Sequence, residues 1–255
     1  MARQERRGDW PVAPTDLPAV ILAAGRGTRL GPLSAECPKA LVALAGKPLI
    51  LHVLEGLAQT GIRRAIVVTG YRHQQLEAVL ARLLSASETE IIPVFNANYE
   101  RGNGDSLLAA KPFVTDHFLL TMADHLVNPE IYRRAVQASG SALCVDSQPS
   151  LHAQLADATR VWVERGFVRR IGKDLREWNG VDTGVFSLAP TIFVALEALH
   201  EHPTVSLTEG VSTMIAAGEH LQALDISGLC WSDVDTADDL LETERLLAKE
   251  GNAER

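Results

Sequence analysis

The stretch AVILAAGRGTRLGPLSAECPKAL, residues 19–41, decides the fold and contains the first candidate site. Its apolar beginning has the length and composition of a buried parallel strand, and this strand stops at Gly25. Pro32, Pro38 and the polar residues between them keep the following segment irregular. A long irregular loop is more often functional than structural. We therefore expect a ligand-binding loop directly after the first strand.

The composition of this loop predicts that its ligand is a triphosphate. Gly25 and Gly27 let the backbone approach phosphate oxygens closely, Arg29 can donate two parallel hydrogen bonds, and Lys39 adds a compact positive charge. A dinucleotide fingerprint is excluded because Gly31 comes one residue late and no helix follows at once, and a P-loop is excluded because no G-K-[ST] follows. The alternative is a glycine turn with solvent-exposed cations.

The remaining pattern predicts a Rossmann-like α/β fold with a mixed, mainly parallel sheet flanked by helices. Strands and helices alternate through residues 17–146, which is typical of a parallel sheet with ligands at the carboxyl ends of its strands. Residues 147–250 have an α+β pattern that includes a hairpin through Arg165-Gly166. We expect one domain over 17–250, preceded by a flexible tail over 1–16.

Bulk composition excludes several classes of protein. The 255 residues carry a net charge of −8, which disfavours non-specific binding to nucleic acid or to a membrane. No apolar run approaches the ~18 residues that a membrane span needs, and the amino terminus lacks a signal-peptide core. Three widely separated cysteines predict buried free thiols in a reducing compartment, so we expect a cytoplasmic protein.

Carboxylates at two strand ends predict a magnesium site. Asp124 follows an apolar strand, and Asp233 and Asp235 precede the predicted closing helix. A triphosphate reaction needs Mg²⁺, which one or two carboxylates usually hold together with phosphates and water. Asp233 and Asp235 point to the same face of an extended segment, so either can be the second ligand. Asp238 and Asp239 are better explained as partners of the helix dipole.

The loop motif LAAGRGTRL…PKAL resembles the opening motif of the sugar-phosphate nucleotidyltransferase superfamily, and the similarity extends over residues 18–248. The resemblance implies that Lys39 stabilises attack on the α-phosphorus with help from Arg29. It also implies that Asp124 and Asp235 hold the metal. The residues that it assigns to the nucleotide in this loop are Leu22, Ala23, Ala24, Gly25, Gly27 and Thr28.

A second motif bears on the choice of nucleotide. The segment NANYERGNGDSLLAA, residues 96–110, is similar to the cytidylyltransferases. The resemblance implies that the base lies against the backbone of Gly102, Asn103 and Gly104, with Ser106 at the start of a helix. It adds Gly70, followed by Tyr71, as a second wall of the base pocket. The alternative is a surface turn rich in asparagine and glycine.

A third motif bears on the acceptor. The segment RRIGKDLREWNGVDTGVFSL, residues 169–188, closely resembles the CTP:inositol-1-phosphate cytidylyltransferases. The resemblance implies that Lys173 contacts the acceptor phosphate and acts in catalysis, and that Asp182 and Thr183 recognise polyol hydroxyls. His125 is a further candidate for substrate contact, with packing as its alternative. Residues 17–146 would then bind the nucleotide and residues 147–250 the acceptor.

The sequence thus predicts a Mg²⁺-dependent transferase that uses CTP and a small phosphorylated polyol, inositol-1-phosphate, to make CDP-inositol and pyrophosphate. Alternatives within the superfamily are another nucleotide or another acceptor, such as a hexose-1-phosphate, a cyclitol phosphate, phosphocholine or a phosphonate. An alternative of another class is a non-catalytic nucleotide-binding regulator. The chain ends after its closing helix, so a separate membrane phosphotransferase or another pathway would use the product.

Overall fold

The computed structural model describes residues 15–84, 88–149 and 157–253. The elements of the first half, in chain order, are β1 (Ala19–Ala23), β2 (Ala43–Leu44), β3 (Lys47–Pro48), α1 (Leu49–Ala58), β4 (Arg64–Thr69), α2 (His73–Leu84), β5 (Glu90–Phe95), α3 (Asn103–Ala109), β6 (Phe118–Met122), β7 (His125–Val127), α4 (Pro129–Val136) and β8 (Ala142–Asp146). Those of the second half are β9 (Arg160–Glu164), β10 (Phe167–Gly172), β11 (Gly180–Leu188), α5 (Thr191–Glu197), α6 (Leu207–Ala216), β12 (Gln222–Asp225), β13 (Trp231–Asp233) and α7 (Ala237–Ala253).

Within the described residues, nine of these strands form one sheet in the order β5-β4-β1-β6-β11-β8-β12-β10-β9. The pairs β5–β4, β4–β1, β1–β6 and β8–β12 are parallel, whereas β11 and β10 run antiparallel to their neighbours. Seven of the nine strands therefore point the same way. The predicted α/β fold with a mixed, mainly parallel sheet is confirmed.

The sheet is buried on both faces around β1, where this strand and its neighbour β4 carry apolar side chains on both sides. All five residues of β1 are buried. Alternate side chains point to opposite faces of a strand, so Val20 and Ile66 pack into one core cluster, and Ile21 and Val67 into another. Helix α1 covers the second of these faces. A strand that is covered on both faces has no polar side, which agrees with the continuous apolar runs in the sequence.

The amino-terminal boundary and the cysteines differ from expectation. Residues 1–14 of the predicted tail lie outside the described residues, but Thr15 forms a β-bridge with Ile62, so the packed chain begins before residue 17. The three cysteines all lie within the described ranges and form no disulfide there. Cys144 is buried, whereas Cys37 and Cys230 are only half-buried, which corrects the expectation of three buried thiols.

Short elements complete the ligand edge of the sheet. Strands β7 and β13 pair antiparallel as a separate two-stranded sheet that places Asp233 beside His125. The loop after β1, predicted as irregular, contains two 3₁₀ segments, Thr28–Ser34 and Lys39–Leu41. The predicted hairpin between β9 and β10 is present, with its turn at Arg165-Gly166. Across the described part of the chain, the helices are all too short or too polar to cross a membrane.

Candidate active site

A cleft of about 660 Å³ lies at the carboxyl ends of β1 and β6. This is the edge of an open α/β sheet where ligands bind. Both halves of the chain contribute to its walls. Predicted site residues that line it are Leu22, Ala24, Gly25, Arg29, Gly102, Asn103, Ser106, Asp124, His125, Lys173, Asp182 and Asp235.

The loop after β1 carries Lys39 to two aspartates that line the cleft, Asp124 and Asp235. Gly27 has a left-handed backbone with φ 68°, and a Cβ atom there would lie 2.8 Å from Cβ of Lys39. The Ser34 hydroxyl donates to the Gly27 carbonyl at 2.6 Å, which holds the turn closed. Glycine is therefore required at this position because the lysine stem packs directly against it. Thr28, the next predicted residue, is exposed at the start of the first 3₁₀ segment.

Lys39 joins Asp124 and Asp235, the two aspartates that the family resemblance pairs as metal ligands. Its ammonium group contacts Asp124 Oδ2 and lies 2.6 Å from Asp235 Oδ1, and its side chain is only 10% exposed. Burial alone would lower the pKa of Lys39, but the carboxylates of Asp124, Asp233 and Asp235 raise it above its ordinary value. Arg29 Nη2 adds a second cation, 2.6 Å from Asp235 Oδ2.

Burial by itself would raise the pKa of Asp124 and of Asp235. The charge and the hydrogen bond of Lys39 outweigh burial when the charge of His125 is added at Asp124 and that of Arg29 at Asp235, so both pKa values are lowered. The cluster is therefore ionised at neutral pH, with one lysine shared by two carboxylates.

His125 lies between this cluster of Lys39 and its aspartates and strand β11. Its Nδ1 lies 2.9 Å from the Thr183 carbonyl, and its Nε2 lies 3.5 Å from Asp233 Oδ2 and 4.0 Å from Asp124 Oδ1. Burial alone would lower the pKa of His125, but Asp233 and Asp124 raise it to about 10. The ring lies against Gly184, where an added Cβ would lie 2.1 Å from Nδ1. His125 is thus a fixed imidazolium.

The acidic residues of the cleft fit a divalent cation held by oxygen atoms. Ligand atoms of Asp124, His125 and Asp233 all lie within 4.8 Å of one another. Among the described residues, Asp233 Oδ1 is a buried side-chain oxygen without a hydrogen-bond partner. Mg²⁺ prefers oxygen ligands, so the carboxylates would be its ligands. Asp124 is common to both possible pairs, with either Asp233 or Asp235 as its partner.

Asp157 is a cleft residue that the sequence did not reveal. Its Oδ2 lies 2.5 Å from Arg29 Nη1, and its Oδ1 lies 2.7 Å from Lys173 Nζ. The hydrogen bond from Lys173 is the largest of the effects that lower the pKa of Asp157. The residue stands between Ala156 and Ala158 with no motif around it, so only the folded chain shows that it bridges the two cations.

The predicted base-binding glycines differ in their surroundings. Gly102 lines the cleft, and a Cβ there would lie 2.5 Å from the Val205 carbonyl oxygen, while a Cβ at Gly104 would lie 2.9 Å from backbone atoms of Ser206. A Cβ at Gly70 would lie 2.6 Å from Cβ of Tyr99. Close packing within the protein therefore explains the absence of a side chain at Gly70 and Gly104.

Asn103 and Ser106 both line the cleft, and their side chains have partners in the protein. Asn103 Oδ1 accepts a hydrogen bond from the Leu207 amide at 2.7 Å, which ties α3 to α6. Ser106 Oγ accepts from Asn96 Nδ2 and donates to the Gly102 carbonyl, both at 3.2 Å. Leu207 and Thr208 line the cleft beside them and were not predicted.

The predicted acceptor residues on β11 face different ways. Asp182 lines the cleft, and its Oδ1 accepts a hydrogen bond from the Gly184 amide at 2.7 Å. Burial raises the pKa of Asp182 to about 6. The Thr183 side chain is fully buried and donates to the Cys144 carbonyl at 2.9 Å, so its hydroxyl points away from the cleft. Thr183 contributes to the site through its carbonyl, which holds His125.

The start of α7 agrees with a capping role for its aspartates. The Asp239 amide donates to Thr236 Oγ1 at 3.2 Å, and Asp239 Oδ2 accepts from the Thr236 amide at 2.7 Å. This reciprocal arrangement is a capping box. Asp238 lies in the first helical turn and also lines the cleft. The capping box fixes the helix start directly after Asp235, and so fixes that carboxylate.

Comparison with known proteins identifies the family. Residues 19–189 match the MobA-like NTP transferase domain. The chain belongs to this family. The match includes the loop after β1, Asp124 and Lys173, and it supports the superfamily resemblance seen in the sequence.

Relatives of this NTP transferase domain include longer proteins. A bifunctional IPC transferase and DIPP synthase from Aquifex aeolicus is 35% identical over 234 residues, which are 91% of this chain and 52% of that protein. One from Archaeoglobus fulgidus is 36% identical over 229 residues, 90% of this chain and 43% of that protein. The chain thus spans about half the length of these curated relatives.

Solved structures share the whole fold. The inositol-1-phosphate CTP transferase from T. maritima superposes with a TM-score of 0.82 at 25% identity, covering 91% of this chain and 95% of that one. A UDP-glucose pyrophosphorylase complexed with UDP-glucose superposes with a TM-score of 0.77 at 18% identity, covering 92% and 99%. The second likeness concerns the fold alone.

Proposed function

We propose that this NTP transferase domain transfers the cytidylyl group of CTP to inositol-1-phosphate, giving CDP-inositol and pyrophosphate. One observation carries the proposal. Arg29 of the loop after β1 and Lys173 of the second half both bind the carboxylate of Asp157. This carboxylate lies next to the ion pair between Lys39 and Asp235, because Arg29 also binds Asp235. Two cations this close can each bind one of two phosphates and hold them near enough to react with each other. The inositol-1-phosphate CTP transferase and the bifunctional relatives support the choice of substrates.

The loop after β1 would bind the triphosphate. Backbone amides around Gly25 and Gly27 approach the phosphates, and Arg29 binds them through its guanidinium. Lys39 lies where negative charge grows as pyrophosphate leaves, and such preorganised charge lowers the barrier most in a water-poor site. Mg²⁺ held by Asp124 and Asp235 would neutralise phosphate charge. Asp235 is the proposed second ligand because Arg29 and Lys39 already direct it towards the triphosphate.

The acceptor would bind between β10, β11 and β7. Lys173 aims the acceptor phosphate, while Asp182 accepts hydrogen bonds from polyol hydroxyls. The imidazolium of His125 holds this wall in place through the Thr183 carbonyl. A phosphate dianion is already a nucleophile at neutral pH, so the reaction needs no general base. Catalysis is then mainly orientation of the two phosphates and neutralisation of their charge.

A pyrophosphate-release screen tests this function. Purified protein is incubated with Mg²⁺ and one nucleotide, either dTTP or one of the four NTPs. The acceptor in each incubation is inositol-1-phosphate, glucose-1-phosphate, phosphocholine or a phosphonate. We expect release only with CTP and inositol-1-phosphate, with CDP-inositol as the coupled product. Release with UTP or dTTP but not CTP would refute cytidylyl transfer, and release with another acceptor would correct the acceptor. No release with any pair, combined with CTP binding, would indicate the nucleotide-binding regulator.

The domain division and the cellular location belong to the same proposal. Residues 17–146 supply the triphosphate loop and Asp124, whereas residues 147–250 supply Lys173 and Asp182, so the two halves fit a nucleotide side and an acceptor side. We also propose a cytoplasmic location, which fits the free nucleotide substrate, and use of the product by a membrane phosphotransferase.

A further inference from the structure

The ion pairs of Asp157 call for an explanation that stability does not provide. The side chains of Arg29, Asp157 and Lys173 are all more than half exposed. Ion pairs between groups this exposed contribute little to folding because water and salt screen them. Yet one carboxylate uses both oxygens to hold two cations from opposite halves of the chain.

A carboxylate is chemically a smaller and less charged version of a phosphate. Both groups present two oxygen acceptors that match a guanidinium, and both attract an ammonium group. The proposed function gives Arg29 to the nucleotide and Lys173 to the acceptor. The carboxylate of Asp157 therefore occupies the place between them in which the reacting phosphates would lie.

We propose that Asp157 substitutes for substrate phosphate in the empty cleft and must be displaced by it. The inference rests on the proposed function, because it takes the roles of Arg29 and Lys173 from there. Its consequence is a threshold of charge. A ligand with a single negative charge only replaces the charge of Asp157, whereas a phosphate monoester brings almost two charges at neutral pH. Displacing Asp157 therefore costs every anionic ligand the same free energy, and a ligand must interact with the two cations strongly enough to exceed this cost.

The threshold is tested by removing the charge of Asp157. Asp157→Asn keeps the size of the side chain and frees both cations. Two unit charges 4 Å apart interact by about 1 kcal/mol in water, which corresponds to about fivefold in a binding constant. Because every ligand is spared the displacement of the same carboxylate, we expect all anionic ligands to bind at least about fivefold more tightly, and by the same factor.

The measurement is isothermal titration calorimetry at pH 8 with inositol-1-phosphate and with the matching inositol 1-sulfate ester. The sulfate ester has the same shape and one negative charge. The matched control is Asp174→Asn, which also removes one negative charge. Asp174 is next to Lys173 in the chain, but its side chain forms no ion pair with Lys173 or Arg29. We expect this control to stay within about twofold of the wild type.

Three results would overturn the inference. Weaker binding by Asp157→Asn would mean that Asp157 holds the cations in position. A gain for the phosphate ester that is about the square of the gain for the sulfate ester would mean that Asp157 stays in place and only repels ligands. Gains no larger than those of Asp174→Asn would remove any special role. Calorimetry measures binding, whereas the pyrophosphate-release screen measures turnover. The inference about Asp157 can therefore fail while the proposed function holds, and the proposed function can fail while the inference holds.

Discussion

Replacing Asp182 by asparagine should stabilise the protein and weaken its binding of the acceptor. Asp182 lines the cleft from β11, and burial raises the pKa of its carboxyl from 3.8 to about 6. The Gly184 amide donates to Asp182 Oδ1 at 2.7 Å, and an asparagine oxygen can accept the same hydrogen bond. The substitution thus removes the cost of a buried charge and keeps the contact.

The size of the effect follows from the pKa. One pKa unit corresponds to 1.36 kcal/mol, so the step from 3.8 to about 6 corresponds to about 3 kcal/mol. The folded wild type holds this proton more tightly than the unfolded chain, so its stability falls as the pH rises from about 4 to about 6. The side chain of the Asp182→Asn variant has no such proton. The difference in unfolding free energy should be near zero at pH 4 and reach at most about 3 kcal/mol above pH 7.

Urea unfolding followed by circular dichroism at pH 4 to 8 measures this difference. Asp146→Asn is the matched control, because Asp146 is buried on neighbouring β8 and its carboxylate accepts hydrogen bonds from Trp231, Ser227 and Gln148. An asparagine there cannot keep all three, so this variant should lose about 1–3 kcal/mol. A pH-independent gain for Asp182→Asn, or a loss at pH 7, would refute the reasoning. The acceptor KM of Asp182→Asn should rise.

Three further substitutions separate the roles of the cleft residues. Lys39→Met leaves Asp124 without its buried cation, so turnover should fall by about 10²–10³-fold and the unfolding free energy by about 3–5 kcal/mol. Thermal unfolding should show that Mg²⁺ restores part of the lost stability. Lys173→Gln should raise the KM for the acceptor by about tenfold or more and leave nucleotide binding unchanged in steady-state kinetics. Gly184 has φ 74°, and Gly184→Ala would place a methyl group against the ring of His125. Thermal unfolding should show a loss of several kcal/mol in stability, and a wild-type melting curve would contradict this packing.

The sequence predicted the sheet and one side of the cleft because both are encoded locally. Apolar runs such as β1 mark buried strands directly, and a glycine loop after a strand marks a phosphate site. Asp124 was found for the same reason, since it follows the strand β6 at the ligand edge. These signals depend on residues that are neighbours along the chain.

The rest of the site depends on contacts between distant segments. Asp157 meets Arg29 across 128 positions, and no local pattern distinguishes it from a surface aspartate. Strands β7 and β13 have three residues each, too few for a periodic pattern, so the pairing of His125 with Asp233 was not predicted. Thr183 was assigned by motif alone, and alternation along β11 turns its side chain towards β8.

The ion pair between Arg29 and Asp235 has a consequence for how the protein is made. These residues are 206 positions apart, and Asp235 is placed by β13 and the capping box of α7. During synthesis, the residues of β1, β4, β5 and β6 leave the ribosome well before Asp235, because the amino-terminal part of a chain emerges first. The loop after β1 therefore gains its ion pair to Asp235 only after β13 and the start of α7 have been made. A nucleotide that binds against this loop, as proposed above, would protect only a chain that already includes them.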